Sequence, residues 1–108
     1  MSIKTIKILK PLMDYPREFL APIFDNQAKV YALDQLYPQH VIVDVLISNR
    51  DPTNNIVYRI NNQPLDLILP VGQAIAYNNV IIWKIEILTN AYYEIQLFGL
   101  DRNLIIGR

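Results

Sequence analysis

Apolar and polar residues alternate with a period of two along most of the chain from position 41 onward. In the stretch VIVDVLIS (41–48), Val41, Val43, Val45 and Ile47 fall on one side, and in NIVYRI (55–60) so do Ile56, Tyr58 and Ile60. The same spacing groups Leu65, Leu67 and Leu69, then Ile81, Trp83, Ile85 and Ile87, then Tyr93, Ile95 and Leu97, with Lys84, Glu86, Glu94 and Gln96 on the reverse sides. Successive side chains of a strand point to opposite faces, so each group predicts a strand with one inward face, and Trp83 and Ile85 are expected in the core. Turn-forming residues separate the groups: NRDPTNN (49–55), NNQP (61–64), PVG (70–72), NN (78–79) and TNA (89–91). Asn and Gly accept positive φ, and Pro presets a turn dihedral. The expected fold is all-β, an antiparallel β-sandwich or jelly-roll-like barrel of about 7–9 short strands.

The first forty residues are less regular. IKTIKILK (3–10) fits both a strand over 3–9 and a helical stripe through Lys4, Lys7 and Lys10, and the strand is preferred. In MDYPREFLAPIFDN (13–26), Pro16 and Pro22 exclude a long helix. AKVYALD (28–34) reads as a strand and QLYPQ (35–39) as a loop. No repeat, linker or low-complexity tract divides the chain, so residues 1–108 are expected to form a single β-sandwich domain.

Ten basic and ten acidic residues balance to a formal charge of zero, so there is no long-range field to gather nucleic acid or hold an anionic membrane, and neither is an expected partner. Without cysteine there is no disulfide or thiolate chemistry. The longest charge-free run, Leu67 to Trp83, is interrupted by Pro70, Gly72, Gln73, Asn78 and Asn79 and does not read as a membrane helix. The first ten residues lack a continuous apolar block, so synthesis in the cytoplasm is expected.

Candidate chemistry is sparse. The single histidine, His40, and Ser48 flank one predicted strand at a separation of roughly 26 Å, too far for a nucleophile relay. One histidine and no cysteine leave no zinc or copper set. Asp44, Asp66, Glu86 and Glu94 fall within strands, where their expected role is to solubilise outer faces and pair with Arg59 or Lys84; glycosidic acid–base work is the alternative. Asn49, Asp51, Asn54 and Asn55 offer oxygens for calcium, but their spacing matches no calcium loop and turn chemistry is expected instead. Gly72, Gly99 and Gly107 stand alone and form no phosphate cradle. The chain is therefore expected to be no enzyme, with no catalytic residue, cofactor or metal.

The stretch NNIVYRINNQPLDLILPVGQAIAYNNVIIWKIEI (54–87) resembles small tailed-phage and other virion proteins. The matching positions are Val57 to Asn62, a strand ending in an R-I-N turn; Leu67 to Gln73, a strand with a Pro-Gly corner; and Ile81 to Ile87. The resemblance implies a compact sandwich or jelly roll used in virion building or decoration, localised to the virion after synthesis in the host cytoplasm. The alternation also carries more apolar residues than one inward face requires. Ile42, Leu46, Ile68, Ile82, Leu88, Tyr92 and Phe98 occupy positions that a wetted outer face leaves polar. Ile42, Leu46, Ile68, Ile82, Tyr92 and Phe98 are accordingly the expected interface, toward further copies of the chain or other virion proteins. Phe19, Leu20, Ile23 and Phe24 cover that face if the first forty residues pack over it. The alternative is a carbohydrate- or receptor-binding module, with Tyr58, Tyr77 and Tyr92 as its aromatic platform and a glycan as ligand.

Overall fold

The computed structural model describes residues 11–105, so the strand expected over 3–9 lies outside the described residues. Within them are eight strands: β1 (Glu18–Asp25), β2 (Lys29–Ala32), β3 (His40–Asn49), β4 (Ile56–Ile60), β5 (Leu67–Leu69), β6 (Ala74–Tyr77), β7 (Lys84–Ile87) and β8 (Tyr93–Asp101). Single helical turns follow β2 and β8, α1 (Leu33–Leu36) and α2 (Arg102–Ile105). The strands form two four-stranded antiparallel sheets, ordered β1-β8-β3-β6 and β2-β7-β4-β5. The pairing is nested: β4 with β5, β3 with β6, β2 with β7 and β1 with β8, as if one long hairpin had been rolled into a sandwich. This connectivity is a jelly roll.

Local chemistry explains the turns. Asn61 and Asn62 have φ of 53° and 60°, a pair of left-handed residues that asparagine tolerates, and the Gln63 amide closes the turn on the Ile60 carbonyl at 3.0 Å. The Asn61 side chain then works across the sheet: its amide donates to the Ile81 carbonyl at 2.8 Å, and its oxygen accepts from the Trp83 amide at 2.9 Å. At PVGQ, Gly72 has φ of 76° and Gln73 donates to the Pro70 carbonyl, a turn whose third position needs a residue at ease with positive φ.

Between the sheets lies the main core, built from Leu33, Val45, Ile47, Ile56, Ile85, Ile87, Ile95 and Leu97 among others. Two phenol pairs bridge the layers, Tyr31 with Tyr93 at 2.6 Å and Tyr58 with Tyr77 at 2.8 Å. Tyr93 gives its own proton to the Gln27 carbonyl at 2.9 Å, which leaves Tyr31 as the donor of its pair.

The strict alternation expected along 41–48 is broken once. Ile42 pairs with Gly99 and Asp44 with Phe98, so Val43 is an extra residue, a β-bulge that reverses which face each residue meets. Ile42 joins Val45 and Ile47 in the main core, while Val41 and Val43 face outward into a second small core with Tyr15 and Leu100, flanked by Leu12 and Ile81. Ile81 and Trp83 do not extend β7 as expected. The backbone at 80–82 pairs with β3 of the other sheet instead, through Val80 to the Val43 carbonyl at 3.1 Å and Ile82 to the Ile42 carbonyl at 2.9 Å. Crossing between sheets resets the alternation, so Ile82 is buried and Trp83 is only half-buried, whereas Ile85 is fully buried as expected. The strand expected over 28–34 ends at Ala32, and Leu33 turns into α1. Leu65, expected within a strand, precedes β5 and is exposed.

Candidate docking face and loop cleft

The outer face of the β1-β8-β3-β6 sheet presents exposed apolar side chains among the described residues. Phe19 on β1 sits opposite Phe98 on β8, with ring centroids 5.2 Å apart, and Asp44 on β3 continues the row. The next row holds Gln96, Leu46 and Ala76, and the third Phe24, Glu94, Ser48 and Ala74. Phe19 is 54% exposed and Phe24 67%, values unusual for aromatic residues of a strand. Strand β1 was not expected from the sequence. Pro22 lies within its own bulge, between the Leu20–Leu97 and Ile23–Ile95 pairs, where the ladder is locally interrupted and a missing amide proton is tolerated.

One end of this face is covered. Residues 11–17 lie over the second core and Arg17 fixes them: Nε donates to the Asp44 carboxylate at 2.9 Å, Nη1 to the Leu12 and Tyr15 carbonyls, and Nη2 to Asn79 Oδ1. Asp44 also accepts from the Asn79 amide at 2.9 Å. Among the described residues before β2, the Leu12–Tyr15 segment acts as a cover, whereas Phe19 and Phe24 face outward themselves.

The six expected interface residues do not converge on one patch. Leu46 and Phe98 share the outer face just described, partly exposed. Ile68, 64% exposed, lies on the outer face of the other sheet beside Val57, whose carbonyl accepts from the Leu88 amide at 2.8 Å. Tyr92, 54% exposed, stands just before β8. Ile42 and Ile82 are corrections: at 2% and 1% exposure they belong to the core, for the register reasons given above. Tyr58 is likewise buried and bonded to Tyr77, so those two are no aromatic platform.

The four carboxylates singled out in the sequence, Asp44, Asp66, Glu86 and Glu94, are all in ion pairs, Asp44 with Arg17. Arg59 holds Asp66, Lys84 lies 3.8 Å from Glu86, and Arg50 donates to Glu94 at 2.7 Å. Hydrogen bonds from Gln96 and Arg50 keep the Glu94 carboxyl below its usual range. His40 pairs with Glu18 at 3.0 Å at one end of β3, with Ser48 near the other. In the 49–55 loop, Asp51 Oδ1 accepts from the Thr53 and Asn54 amides and Oδ2 from the Tyr92 amide at 3.1 Å, which lowers its pKa. Asn49 accepts from the Asp51 amide and donates to the Asn54 and Leu69 carbonyls. These oxygens and amides are committed to shaping the loop.

That loop builds one side of a cleft of about 350 Å³, lined by Phe24, Asp25, Asn26, Arg50, Tyr92 and Tyr93. Arg50 escaped the sequence reading and Phe24 was expected there only as a cover, since the partners of both depend on strand register. No helix among the described residues is long and apolar enough to cross a membrane. No family model, curated protein or solved structure matches the chain.

Proposed function

We propose that this chain is a non-enzymatic structural module of a virion that assembles with further copies of itself through the outer face of the β1-β8-β3-β6 sheet. The observation that carries this reading is the Phe19–Phe98 ring pair, with Phe19 exposed and Phe98 partly so, and with Leu46 and Ala76 beside it on one outer face. The jelly-roll strand order adds support, since that architecture is the common building form of viral coats, although it serves lectins as well. Zero net charge adds no repulsion between copies. In a two-fold contact each buried residue counts twice. Full burial from water stabilises by roughly 1.5–3 kcal/mol per side chain, so Phe19 contributes most and the partly buried Phe98 and Leu46 less, against the cost of association.

Sedimentation velocity is the test. The wild type is expected to run above the 12.6 kDa monomer, and Phe98→Glu or Leu46→Glu to give a folded monomer with unchanged circular dichroism. A wild type that stays monomeric at high micromolar concentration would overturn the proposal.

A further inference from the structure

We infer that the cleft between the end of β1, the 49–55 loop and the start of β8 binds a neutral sugar ring. This site does not depend on the assembly proposed above. Phe24, at 67% exposure, and Tyr92, at 54%, give it two open aromatic walls. An aromatic face is the electron-rich side of its quadrupole and attracts polarised C–H groups, such as those on the apolar face of a pyranose. Asp25, Asn26 and Arg50 line the same space and offer a carboxylate, an amide and a guanidinium, a mixture of acceptors and donors that suits adjacent hydroxyls.

Charge selects the ligand class. Arg50 is already matched by Glu94 at 2.7 Å, and Asp25 lies 3.7 Å from Lys29, so the described residues of the cleft bring no uncompensated cation to draw a phosphate or carboxylate. The volume, about 350 Å³, lies toward the small end of ligand pockets and suits one ring. The backbone beneath the walls is held in place by the fold. The Tyr92 amide is bonded to Asp51, its carbonyl accepts from the Arg50 amide at 2.9 Å, and Asp25 Oδ1 accepts from the Asn26 amide at 2.7 Å. Binding then has to order side chains rather than the loop backbone.

The experiment is a two-dimensional amide NMR titration of the full chain with the methyl glycosides of glucose, galactose, mannose and N-acetylglucosamine, with inorganic phosphate as the charged comparison. At least one glycoside is expected to give saturable shifts confined to the amides of Asp25, Asn26, Arg50, Tyr92 and Tyr93, with Kd on the order of millimolar. Tyr92→Ala is expected to weaken that binding at least about tenfold, and Asp25→Asn to weaken it less, both at the wild-type melting temperature. Absence of saturable shifts from all four glycosides at their solubility limits would overturn the inference. Phosphate binding in their place, or a Tyr92→Ala variant that binds as the wild type does, would overturn it equally.

Discussion

Asp51 and Glu94 are buried carboxylates held ionised by donors aimed at them, and both pKa values lie below the ordinary 3.8 and 4.5. A folded-state value below the unfolded one adds stability that is complete above the unfolded pKa and is lost as pH falls through the folded one. The melting temperature is therefore expected to decline below pH about 4.5, and Asp51→Asn to melt lower at neutral pH with a shallower acid slope; calorimetry across pH 3–7 checks both. The tyrosines act at the other extreme. Burial is the main cause that raises the Tyr31, Tyr58 and Tyr93 hydroxyls above the ordinary 10.0. Their contribution is whole below pH about 10 and drains above it, so alkaline unfolding should coincide with phenolate absorbance. Tyr58→Phe strands the Tyr77 hydroxyl and is expected to cost about 1–3 kcal/mol, with Tyr58→Phe/Tyr77→Phe recovering part of it in denaturant melts. Gly72→Ala meets no neighbouring atom, so its expected cost of about 1 kcal/mol is backbone strain alone.

A single extra residue decides the most consequential assignments at the level of the strand. Because Val43 bulges from β3, Ile42 turns inward, and because 80–82 pairs across to β3, Ile82 does too. Ile82→Ala is therefore expected to cost roughly 2–5 kcal/mol in a denaturant melt, whereas a surface position would stay within about 0.5. Strands β3, β4 and β8 were legible in the sequence because each buries one face over several alternations, as Ile56, Tyr58 and Ile60 do. Strand β1 was not, since Pro22 and its bulge interrupt the period that would have announced it. The docking face was half legible. Leu46 and Phe98 break the polar alternation visibly, but Phe19 joins them only through the β1–β8 register, which links residues distant along the chain. The cleft was legible only in Tyr92, since Arg50 and Asp25 reach it through turns whose direction no local pattern encodes.

At the scale of the whole molecule, the outer face, its partial cover and the cleft all lie on or beside the sheet that contains both β1 and β8, so the proposed assembly and the inferred sugar binding both depend on the integrity of one layer. Circular dichroism of the charged docking variants should keep the wild-type β signal, because Leu46 and Phe98 point away from the main core. The nested pairing also dictates an order of events in time. Strands β4 and β5 are near neighbours along the chain, β3 and β6 less so, β2 and β7 less again, and β1 must find β8 across nearly all the described residues. Each inner pairing shortens the effective loop that the next must close, so refolding is expected to proceed from the β4–β5 hairpin outward, in milliseconds to seconds. Stopped-flow kinetics would then divide the molecule in two: changes at the Asn61–Asn62 turn retard refolding, while Leu20→Ala on β1 leaves the refolding rate nearly intact and accelerates unfolding.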